Sequence, residues 1–141
     1  MYTIDFQKPI HVHFIGIGGI SMSGLAEILL NRHFTVTGSD MQASDMTKHL
    51  EETGAKVVIG QKAENITDDI DLVVYTAAIH ESNEEFAAAK NKGIPMMTRA
   101  ALLGQIMANF ACLKVNILCV KLYEKSAIRR YFEQKVYKHY I

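Results

Sequence analysis

HFIGIGGISMSG, residues 13–24, places four glycines within nine positions directly behind an apolar, β-branched run. If that run is a strand, Gly16, Gly18 and Gly19 sit where it must turn into a helix, because Met22, Leu25, Ala26, Ile28 and Leu29 follow at helical spacing. Glycines at such a turn permit positive φ. They also let backbone N–H groups approach a phosphate, whose charge the helix dipole favours. Ser21 breaks the strict G-x-G-x-x-G pattern, and the next glycine, Gly24, comes three residues later. Asp40 lies 24 residues after Gly16, near the spacing of roughly 20 at which an acidic residue reaches a ribose hydroxyl. Together these residues mark a candidate nucleotide site. The plainer alternative is a set of glycines that only permits tight strand–helix packing, with Asp40 capping the segment after it.

Working outward, short apolar runs alternate with segments of helical period. Residues 10–16, 34–40, 56–60, 71–78 and 94–98 read as strands, and residues 19–31, 44–53 and 81–92 as helices. Gly54 stops the second helix, while Gly93 and Pro95 end the third. Such alternation predicts an α/β fold, a doubly wound parallel sheet of about five strands with helices on both faces.

Composition narrows the function classes. The 141 residues carry 15 basic and 15 acidic side chains, so the whole-chain balance favours no nucleic-acid partner. The balance is uneven along the chain: residues 1–110 hold 8 Lys/Arg against 13 Asp/Glu, and residues 111–141 hold 7 against 2. Cys112 and Cys119 are the only cysteines, and their spacing fits neither a metal site nor a disulfide framework. Met1–Lys8 lacks a signal pattern, and no apolar run approaches the roughly 20 residues that span a bilayer. A soluble, cytoplasmic protein without a membrane partner is expected. His11 and His13 alternate on the first strand and share a face, but two ligands do not make a metal site. His33, His49, His80 and His139 are unclustered. No catalytic dyad or triad is supported, and the methionines read as core filling.

The segments HFIGIGGISMSGLAEILL, VTGSD, ENI, VVYTAAIHESNEE and AAAKNKGIPMMTRAALLGQIM, in this order, resemble the first domain of the Mur ligases of peptidoglycan synthesis. The resemblance runs from about Ile10 to Phe110. It implies a Rossmann-like domain, residues 1–110, whose glycine turn binds the diphosphate of a UDP-sugar, UDP-N-acetylmuramate or UDP, rather than NAD. On that basis Gly16, Gly18, Gly19 and Ile20 would surround the diphosphate, Ser39 and Asp40 would lie near the uridine ribose, and Thr76, Ala77 and Ala78 would end the fourth strand. Arg99 would face the nucleotide-sugar from the fifth. Ligands of open parallel sheets do sit beyond the carboxyl ends of the strands, and a guanidinium can pair with a diphosphate bidentately. Ser21 departs from the family's turn; its hydroxymethyl is expected to crowd the turn or the ligand, lowering affinity without disturbing the fold.

After Phe110 the family pattern stops. Such ligases continue into an ATP-binding loop, Gly-Thr-His-Gly-Lys-Thr, whereas residues 111–141 contain no glycine and therefore no phosphate-cradling loop. No catalytic residue and no cofactor are assigned to this chain; ATP and Mg²⁺ are expected only of the full-length family enzyme. The atypical basic tail reads as a possible strand, 114–120, and a helix, 123–137, able to mediate homo-oligomer contact. The shift in charge and composition points to truncation or a changed reading frame. Two function classes follow: the UDP-sugar-binding domain of a cell-wall ligase, or a stand-alone nucleotide or dinucleotide module with a partner-binding tail. A nicotinamide-dependent oxidoreductase would use the same turn and Asp40, but no substrate domain follows.

Overall fold

The structure, a computed structural model, describes residues 1–112. The expected tail strand and tail helix lie outside the described residues. Five parallel strands, β1 (His11–Ile15), β2 (Thr35–Asp40), β3 (Lys56–Ile59), β4 (Leu72–Tyr75) and β5 (Met96–Thr98), form one sheet in the order β3-β2-β1-β4-β5. The helices are α1 (Ile20–Asn31), α2 (Asp45–Glu52), α3 (Glu84–Asn91) and α4 (Arg99–Cys112), with a 3-10 turn at Ala63–Asn65. This is the expected Rossmann-like α/β fold.

The strand period of two distributes side chains between two cores. Val12 and Phe14 of β1, Val36 of β2 and Val74 of β4 point to one face, where they meet Leu25 and Leu29 of α1, Leu50 of α2 and Leu102 and Ile106 of α4. Ile15 and Val73 point to the other, against Ile66, Ile70 and Ala89 of α3. Gly38 of β2 is the tightest point of the first face. A Cβ there would stand 2.6 Å from Ile17 Cδ1 and 2.9 Å from the Phe14 carbonyl oxygen, so only glycine lets the loop after β1 lie on β2.

Two boundaries and one element depart most from the sequence reading. The strand expected to run to residue 78 ends at Tyr75, leaving Thr76–Ala78 as loop. The third helix starts at Glu84, not 81, because the Asn83 side chain accepts hydrogen bonds from the N–H groups of Glu85 (3.0 Å) and Phe86 (3.1 Å). The reading placed no helix after the fifth strand, yet α4 follows it immediately, its start marked by Thr98 Oγ1 accepting from the Ala101 N–H at 3.2 Å. Leu102 and Ile106, one turn apart and fully buried, hold α4 down with about 1.5–3 kcal/mol each.

Candidate functional site

β1 lies between β2 and β4, so the chain leaves it toward one side of the sheet and β4 toward the other, opening a crevice at the carboxyl edge. A cleft of about 680 Å³ occupies that crevice, a size that suits a nucleotide. Its floor is the loop after β1. Gly16 adopts φ +83°, and its N–H and that of Ile17 donate to the Ser39 carbonyl at 2.8 and 2.9 Å. Gly18 N–H donates to Asp40 Oδ2 at 2.9 Å. A Cβ on Gly18 would stand 2.8 Å from that oxygen, so glycine is required for the approach. From Ile20 onward the chain is helical, and Gly19, the extended residue just before it, gives α1 no side-chain cap. The N–H groups of Ile20, Ser21 and Met22 have no acceptor among the described residues. They form the positive end of a helix facing the cleft.

The walls come from three other loops. Asp40, Gln42, Ala43 and Ser44 close one side, and Thr76, Ala77 and Ala78 the other. Arg99, the first residue of α4, reaches in from beyond β5, and its Nη1 donates to Ser21 Oγ at 2.6 Å. No carboxylate pairs with Arg99 among the described residues. Within the lining, Asp40 is the one carboxylate and Arg99 the one cation among the described residues. The arrangement can bind an anion at the α1 end and offers a hydrogen-bond acceptor at the β2 end.

Of the residues expected at the site, Gly16, Gly18, Gly19, Asp40, Thr76, Ala77, Ala78 and Arg99 line this one cleft. Ile20 and Ser39 do not. Ile20 turns outward at the mouth, 70% exposed. Ser39 is fully buried, and the reason is the strand period: neighbours on β2 face opposite sides, so with Asp40 in the cleft the Ser39 hydroxyl must point behind the sheet. The hydroxyl of Ser21, the residue expected to crowd the turn or the ligand, is the acceptor that holds Arg99.

Behind the sheet the Ser39 hydroxyl enters a polar cluster that the sequence reading did not find. Glu85 of α3, with no exposed surface, accepts from Ser39 Oγ at 2.5 Å and from Asn65 Nδ2 at 2.7 Å. His13 Nε2 stands 3.4 Å from the same carboxylate without a formed hydrogen bond. The Thr37 hydroxyl lies 2.9 Å from both His13 Nδ1 and His11 Nε2. His11 Nδ1 meets Asp69 Oδ2 at 3.0 Å. Asp69 is held below the ordinary carboxylate value, first by a hydrogen bond from Thr67 and, less strongly, by His11. The signal in the sequence was the pairing of His11 and His13 on one face; what it lacked was a distant acidic partner. Among the described residues no group of three His, Cys, Asp or Glu side chains is placed to hold a metal ion, and no helix is long and apolar enough to cross a membrane.

The chain is 72% identical over 110 residues to the UDP-N-acetylmuramate–L-alanine ligase of Agathobacter rectalis, covering 78% of this chain and 24% of that one. It is 65% identical over 107 residues to the same-named ligase of Lachnospira eligens, covering 76% and 23%. Among solved structures, the UDP-N-acetylmuramate–alanine ligase of Thermotoga maritima superposes with a TM-score of 0.68 at 29% identity, over 71% of this chain and 23% of that one. A murein peptide ligase from Psychrobacter arcticus gives 0.65 at 27% identity, over 68% and 20%. The chain thus spans about a quarter of the length of the curated relatives it matches. Residues 11–111 match the family described as Mur ligase family, catalytic domain, and the chain belongs to the Mur ligase family.

Proposed function

We propose that this domain binds a UDP-sugar, UDP-N-acetylmuramate, and holds it for a peptidoglycan-synthesis ligase. The observation that carries the reading is the uncapped start of α1 opening into a nucleotide-sized cleft with Arg99 beside it. The diphosphate would lie over the N–H groups of Ile20, Ser21 and Met22 and against the Arg99 guanidinium. Asp40 would accept from the ribose hydroxyls. The names of the relatives support UDP-N-acetylmuramate as the ligand. ATP and Mg²⁺ would be handled by parts of the ligase beyond this cleft, since residues 111–141 offer no glycine for a phosphate loop. We place the protein in the cytoplasm, with binding rather than turnover as the activity of the chain by itself.

Titration calorimetry with UDP-N-acetylmuramate, UDP and NAD tests the reading. Both uridine ligands should bind, the sugar nucleotide no more weakly than UDP, and NAD at least about tenfold more weakly than either, a difference of ~1.4 kcal/mol. Preferential NAD binding would overturn it in favour of a dinucleotide module.

A further inference from the structure

We propose that Ser21 is a positioning residue for Arg99, and that its hydroxyl and the guanidinium act as one receptor for the diphosphate. This deepens the UDP-sugar reading and rests on it. Ser21 and Arg99 are 78 residues apart and come from the starts of two different helices, α1 and α4, yet they meet at 2.6 Å inside the cleft. Arg99 occupies the first position of α4, where the helix dipole disfavours a cation, and no carboxylate offsets it among the described residues. A guanidinium so placed is stabilised by an anion arriving from the cleft side.

Ser21 Oγ accepts from Arg99, which leaves its own proton free to donate. Ser23, one position pair along the same helix, shows the contrast: its hydroxyl is spent on the Ile20 carbonyl at 3.0 Å. The Ser21 proton has no acceptor among the described residues and lies beside the open N–H groups of the α1 start. Accepting from a cation polarises an O–H and strengthens the bond it donates. A diphosphate oxygen there would receive a hydrogen bond from Ser21 Oγ, others from the α1 backbone, and a charge-assisted pair from Arg99. A glycine at position 21, as the strict turn pattern has it, would leave the arginine unheld.

The test uses the full chain, with UDP, inorganic pyrophosphate and uridine as probes in calorimetry. Ser21→Ala and Ser21→Gly should each weaken UDP and pyrophosphate by about tenfold, the effect of losing one charge-assisted hydrogen bond, and leave uridine unchanged. Ser21→Thr, which keeps the hydroxyl, should stay within about threefold of the parent. Arg99→Gln should cost more than Ser21→Ala, and the double variant should lose clearly less than the two single losses combined, because the serine then has no arginine to hold and only its own hydrogen bond to the diphosphate is left to lose. Unchanged melting temperatures separate this role from a structural one. If the parent binds UDP but Ser21→Ala binds it equally well or more tightly, or if the two losses simply add, the positioning role is wrong while the UDP-sugar reading stands. If the parent binds neither UDP nor pyrophosphate, both fall together.

Discussion

β1 and β4 lie side by side, and each runs into a loop and a helix at the same edge of the sheet. The helix after β4 satisfies its own N-terminus: Asn83 caps it, Glu84 and Glu85 lie in its first turn, and Glu85 then serves as anchor for Ser39 and Asn65. The helix after β1 has neither a capping side chain nor an acidic residue in its first turn. Both are starts of helices with the same dipole and the same orphan N–H groups. One spends them internally and gains stability; the other leaves them for a visitor. The difference shows that the bareness of α1 is a property of that loop, since the same edge of the same sheet supports a fully capped helix one strand away.

The largest effect should come from Glu85→Ala. It leaves Ser39 and Asn65 without their acceptor, and each buried donor left unsatisfied costs about 1–3 kcal/mol. Chemical denaturation should show the loss. A loss no larger than that of a simple cap would mean that the cluster behind the sheet is not what holds α3 in place. Next in size, Asn83→Ala should cost about 1 kcal/mol, the value of an N-cap, and should leave UDP affinity untouched; a parallel drop in binding would mean that the two helix starts are not independent.

Gly19→Asp sharpens the contrast by giving α1 what α3 already has. Gly19 has φ −62° and ψ 144°, and an added Cβ would meet nothing closer than 3.6 Å, so aspartate fits. Stability should rise by about 0.5–1 kcal/mol while UDP binding falls at least tenfold. A variant that gained stability and still bound UDP would show that the α1 start is not the anion site. The smallest effect belongs to the exposed loop before α3. There Lys90 holds Glu81 below its ordinary value of 4.5 through a hydrogen bond and its charge. A depressed carboxylate stabilises the fold above its unfolded value, and that contribution fades as pH falls through the folded one. Lys90→Ala should therefore move Glu81 back up in an NMR titration, with a slight loss of stability near neutral pH and none in strong acid.

How much of this was legible in the sequence follows from how local each signal is. The glycine turn, the strand–helix alternation and Asp40 are short-range patterns, and they led to the sheet, the crevice and four of the residues lining it, Gly16, Gly18, Gly19 and Asp40, whereas Thr76, Ala77, Ala78 and Arg99 came from the family resemblance. Ser39 went astray because a resemblance transfers stretches of chain, whereas a strand sends neighbouring side chains to opposite faces. α4 was overlooked although Thr98 stood ready to cap it, since Gly104 interrupts its apolar spacing. The Ser21–Arg99 contact and the Glu85 cluster join residues 78 and 46 positions apart, and no periodicity connects such partners.

The sheet order has a consequence for how the cleft comes into being. β1 pairs with β2 across a separation of 24 residues, Val12 opposite Val36, and with β4 across 60, Val12 opposite Leu72. Closing the longer loop costs ~0.8 kcal/mol more chain entropy than closing the shorter one, before the crossover through the 3-10 turn gives anything back. β1, β2 and β3 can therefore assemble as one local unit, and β4 with β5 as another, each through short connections. The seam between these units is the β1–β4 pair, and the cleft lies along it. The binding surface draws residues from both units, from 16–22 and 40–44 in one and from 76–78 and Arg99 in the other, so it is complete only when the two are docked.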